Sequence, residues 1–77
     1  MKALSDLPLG GRGRLLSIDA VCSTSQRLLA MGFLPGLEVK VVAVAPFGDP
    51  ITVELQGHRL SLRRADAVAV KVGRVGG

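Results

Sequence analysis

The stretch that most limits how this chain can fold is Leu28-Leu29-Ala30-Met31-Gly32-Phe33-Leu34-Pro35-Gly36-Leu37. It reads as a helix end, a turn and a strand start in immediate succession. Gly32 stands where a helix would stop, because a residue without Cβ takes positive φ freely and lets the chain reverse. Phe33 is then placed to fold back on Leu28, the apolar contact that accompanies such a stop. Leu34-Pro35-Gly36-Leu37 suits a type II turn, with Pro presetting φ at the second position and Gly supplying positive φ at the third. One corner therefore sets the angle between a short helix and a sheet.

On the N-terminal side of the corner, Ser23 and Gln26 have the spacing of a capping box, and the helix is expected over Thr24–Met31, with Arg27 and Ala30 facing outward. Before it, Ser5 or Asp6 caps a single turn, and Arg12–Ile18 reads as a first strand whose alternation is imperfect. After the corner, Leu37–Val44 alternates as a strand. Ala45-Pro46-Phe47-Gly48-Asp49-Pro50 has loop composition. Ile51–Leu55 and His58–Leu62 flank Gln56-Gly57 as a hairpin. Arg64–Ala67 suits one helical or 3₁₀ turn, Val68–Val72 a last strand, and Gly73–Gly77 a frayed tail that leaves the last strand free to pair weakly with a second copy. Five short strands with one inserted helix, in a single domain of 77 residues, must curl to bury one face. The expected fold class is all-β: a small five-stranded SH3-like barrel with one short α-helix after the first strand.

Composition narrows the function. Apolar residues make up 48% of the chain, there is no Trp or Tyr, and Phe33 and Phe47 are the two phenylalanines. Two rings cannot line a polyproline groove or stack successive bases, so those recognition modes, and nucleic acid as a partner, are not expected. The net charge of +4 makes Arg12, Arg14, Arg59, Arg63 and Arg64 a solvated basic set rather than a specific site. The single Cys22 excludes an internal disulfide, and Met1–Asp6 has no apolar run of the signal-peptide kind, so a cytoplasmic location is expected. There is no phosphate-binding loop and no nucleophile with an assignable base, so neither an enzymatic activity nor a small-molecule substrate is expected. His58 and Cys22 are the metal-ligand candidates. Without CxxC or HxxxH spacing they suggest adventitious or inter-chain contact with a divalent metal, and no required cofactor. A protein-docking surface is the remaining candidate: Phe47 and Pro46 on the loop, with Leu29, Met31 and Phe33 at the helix corner.

Three ordered blocks, Leu28–Val39, Ala45–Pro50 and Leu60–Ala67, together with the opening Leu4-x-x-Leu7 and Gly10, resemble the FeoA family. Asp66 stands where the family more often has Glu. The resemblance implies a cytoplasmic SH3-like accessory that supports ferrous-iron uptake by docking to FeoB, the membrane GTPase transporter, and that lies at the inner membrane through this partner. It makes Fe2+ or Zn2+ the divalent metal in question at His58 and Cys22. Because similar domains end the iron-dependent repressors, it also leaves a free-standing regulatory module acting on a transcription factor or nucleic acid as the alternative.

Overall fold

A computed structural model describes residues 2–18 and 22–74, with 22–25 as backbone. Six antiparallel strands form one open, curled sheet in the order β1-β6-β2-β3-β4-β5. They are β1 (Lys2–Ala3), β2 (Arg12–Ile18), β3 (Glu38–Val44), β4 (Ile51–Leu55), β5 (His58–Leu62) and β6 (Val70–Gly73). A 3₁₀ turn covers Leu4–Asp6, helix α1 covers Cys22–Ala30, and the short helix α2 covers Arg64–Ala67.

The corner forms as its sequence dictates. Gly32 has φ 101° and Gly36 φ 93°. The Phe33 N–H donates to the Leu28 carbonyl at 3.1 Å and the Gly32 N–H to that of Leu29 at 3.0 Å, the paired bonds of a Schellman stop. The Leu37 N–H donates to the Leu34 carbonyl at 3.3 Å, closing the turn. Two further bonds tie the corner to β2: Gly36 N–H to the Leu15 carbonyl at 2.7 Å and Leu15 N–H to the Leu37 carbonyl at 2.8 Å. Gln56 (φ 51°) and Gly57 (φ 80°) make the β4–β5 hairpin a type I′ turn, with Leu55 opposite His58.

Two bulges curl the sheet. Leu16 is the extra residue between the Leu15–Val72 and Ser17–Lys71 pairs, which explains the broken alternation of β2. Val42 plays the same part between the Val41–Val53 and Ala43–Thr52 pairs. The inward faces meet in one core that includes Leu4, Leu28, Phe33, Val39, Val53 and Val70, all fully buried. Gly13 is buried where a Cβ would lie 2.8 Å from Val72 Cβ. Gly13→Ala must therefore displace backbone, and is expected to destabilise by about 1–3 kcal/mol, seen as a lower urea midpoint with unchanged slope.

Five expectations need correction. There is a sixth strand: Lys2 and Ala3 pair with Val72 and Lys71, a run too short for alternation to show. Because α1 begins at Cys22, Ser23 lies inside its first turn and not at the cap position; residues 19–21, between β2 and the helix, lie outside the described residues. Asp6 caps backwards, its Oδ2 accepting the Ala3 N–H at 3.2 Å. The last strand starts at Val70, since Val68 and Ala69 donate to carbonyls of the α2 turn, and it includes Gly73, which pairs with Arg14. This strand lies between β1 and β2, so it is not a free edge; the sheet's edges are β1 and β5. Residues 75–77 lie outside the described residues. No helix among the described residues is long and apolar enough to cross a membrane.

Candidate functional site

The loop between β3 and β4 carries the most exposed large apolar side chain among the described residues, Phe47, at 99%. The loop is nonetheless held by four hydrogen bonds, three of them to its backbone. The Gly48 N–H donates to the Ala45 carbonyl at 2.7 Å, so Ala45–Gly48 is a β-turn with Pro46 second and Phe47 third. Gly48 follows with φ 84°. The Ala45 N–H donates to the Pro50 carbonyl at 3.1 Å across the loop base, and the Asp49–Pro50 peptide is cis. From α2, Arg64 Nε donates to the Gly48 carbonyl at 2.9 Å, and the Arg64 N–H donates to Asp49 Oδ1 at 3.0 Å.

The other expected docking residues are distributed differently. Phe33 is wholly buried in the core and cannot meet a partner, because the Schellman stop turns it inward against the sheet. Met31 is half-buried and packs on the core, while Leu29 is 44% exposed. Arg27 pairs with Asp66 of α2 at 2.7 Å, so that flank of α1 faces α2. Leu29, two residues on, lies about 200° around the helix from Arg27. The loop and the helix corner are thus separate surfaces. Sequence reasoning missed Leu9, which is exposed. Gly10 N–H donates to the Val41 carbonyl at 2.8 Å and Val41 N–H to the Gly11 carbonyl at 2.9 Å, laying this turn along β3 on the way to the Phe47 loop. Its signal, a Leu between Pro8 and Gly10, is visible in the sequence, but its placement beside β3 is not.

His58 is exposed at the start of β5, and the side chain of Cys22 lies outside the described residues. Among the described residues no group of three or more His, Cys, Asp or Glu is placed to hold a metal ion. The sheet's outer face is charged. Arg12, Lys40, Glu54 and Arg59 lie in register across β2–β5, and Arg12 reaches Glu38 at 3.5 Å. A depression of about 390 Å³ lies among Arg12, Glu38, Lys40, Glu54 and Gln56. Its lining lacks the apolar walls of an ordinary small-molecule pocket.

Sheet order, bulges and the inserted helix define a small SH3-like β domain. The FeoA domain matches residues 2–74. The chain belongs to the FeoA family. It is similar to the FeoA protein of Chlorobium tepidum, with 36% identity, a TM-score of 0.88, and coverage of 97% of this chain and 71% of that one. It is also similar to the zinc-complexed FeoA of Stenotrophomonas maltophilia, described as a prokaryotic SH3 domain protein, with 33% identity, a TM-score of 0.82, and coverage of 94% and 89%. A curated relative is the Fe(2+) transport protein A/Fe(2+) transporter FeoB fusion protein of Porphyromonas gingivalis, 33% identical over 69 residues. Those residues are 90% of this chain and 8% of the fusion protein. Likeness to a manganese-dependent transcriptional repressor, at 19% identity and TM-score 0.86, shows the fold alone.

Proposed function

We propose that this chain is a non-enzymatic cytoplasmic accessory of ferrous-iron uptake that docks onto the cytoplasmic part of the FeoB transporter. The observation that carries this reading is the relative in which a transport protein A and a FeoB transporter share one chain. Tethering two modules raises the local concentration of each at the other to the millimolar range. Such a fusion is productive when the modules work in contact. Phe47 and Pro46 are the main docking residues, with Leu29 and Met31 on a second surface. Iron is the transporter's cargo and needs no site on this chain, so His58 and Cys22 are dispensable for the role.

The test is a pull-down of the purified cytoplasmic region of FeoB from the same organism on the immobilised chain, with and without guanine nucleotide. Retention in at least one nucleotide state is the expected result. No retention in any state, with ferrous-iron uptake unchanged when this chain is deleted, overturns it.

A further inference from the structure

Arg64 joins three segments that are distant in sequence. Besides its bonds to Gly48 and Asp49, its Nη1 donates to the Ser5 carbonyl at 3.1 Å. A guanidinium is a rigid planar fork, so the two side-chain bonds fix one orientation of the group between the loop and the 3₁₀ turn. Asp49 answers from the loop side. Arg63, at the N-cap of α2, makes no side-chain capping bond, and the Asp49 carboxylate takes the N–H of the helix's first residue instead. The packing of Arg64 against the loop is close: a Cβ at Gly48 would lie 3.5 Å from Arg64 Nη2. Phe47 therefore lies between a φ preset by Pro46 and a clamped Gly48 carbonyl, while its ring contributes almost no burial to the barrel. The bonds order backbone on both sides of a side chain that the core does not use.

We propose that Arg64 is a positioning residue that holds Phe47 as a pre-formed aromatic anchor for an apolar pocket on the partner protein. This rests on the docking reading above. The pocket is apolar because a phenyl ring has no donor or acceptor to satisfy, and such rings act as anchors when fully desolvated. Ordering the loop in advance removes an entropy loss that a mobile loop would suffer on binding.

The experiment compares wild type, Arg64→Ala, Arg64→Lys, Phe47→Ala and the Phe47→Ala/Arg64→Lys double variant, at a temperature where melting curves show each folded. Two quantities are measured: the ¹⁵N heteronuclear NOE of residues 45 and 47–49, and the dissociation constant for the FeoB cytoplasmic region. In wild type the loop is expected to be as ordered as β3 and β4. Both Arg64 variants should loosen it and weaken binding roughly three- to tenfold. Lys should rescue little, since an ammonium keeps the charge but not the fork. In the Phe47→Ala background, Arg64→Lys should have no further effect on binding, a coupling that a merely structural role would not produce. If Arg64→Ala does not fold, Asp49→Ala removes the loop's side of the clamp and gives the same readouts. A loop equally ordered without Arg64, or full rescue by Lys, overturns the positioning role alone. Wild-type affinity in Phe47→Ala overturns the anchor and the docking surface with it.

Discussion

Phe33→Ala is expected to leave the domain largely unfolded at 37 °C. Phe33 is fully buried and is the largest of the fully buried side chains. Truncating a buried Phe costs about 3–5 kcal/mol, from lost transfer energy and from the cavity left behind. A domain of this size has only about 4–12 kcal/mol of stability in total. Little can collapse into the space, because Phe33 follows the Gly32 stop and its N–H is held on the Leu28 carbonyl. Thermal melts should show a loss on the order of 15 °C or more. Phe33→Leu, which keeps most of the volume, should recover most of it. A wild-type melting curve for Phe33→Ala would mean that the corner does not organise the core.

Phe47→Ala is expected to do the reverse. With the ring 99% exposed, the change should alter stability by about 0.5 kcal/mol or less. Partner binding should weaken by roughly thirtyfold, the equivalent of about 2 kcal/mol for a central aromatic anchor. The loss should appear in the dissociation rate, since removing an apolar anchor leaves long-range steering untouched. Calorimetry or surface plasmon resonance against the FeoB cytoplasmic region measures it directly. Unchanged affinity would move the docking surface elsewhere, with Leu29 and Met31 next to be tested.

The same residue type thus has opposite fates at two positions, one exposed and one buried. Phe47 sits among Pro46, Gly48, Asp49 and Pro50, a composition that forecast a loop and an exposed ring. Phe33 lies at an apolar corner that suggests docking, while its expected contact with Leu28 points inward, and the core is where it lies. The short β1 strand was not legible, because two residues carry no periodicity and exist as a strand only through pairing with β6. Of the candidate site, Phe47 and Pro46 could be read directly. The clamp on them could not, because an arginine in a basic-looking run is indistinguishable from a solvated one until its acceptors are placed.

By itself the sequence determined the corner, the hairpin turn, the loop and the alternating strands, together with the ordered blocks that mark the FeoA family. These depend on steric limits of single residues and on periodicity within a few positions: Gly at positive φ, Pro at fixed φ, apolar residues on one face. Only the tertiary structure decided that β6 lies inside the sheet, that Phe33 is core, and that Arg27 meets Asp66 across 39 residues. It alone placed Arg64 between the Phe47 loop and a carbonyl 59 residues away. Such pairings arise from how the whole sheet closes around the core, and no local preference of the residues involved specifies them.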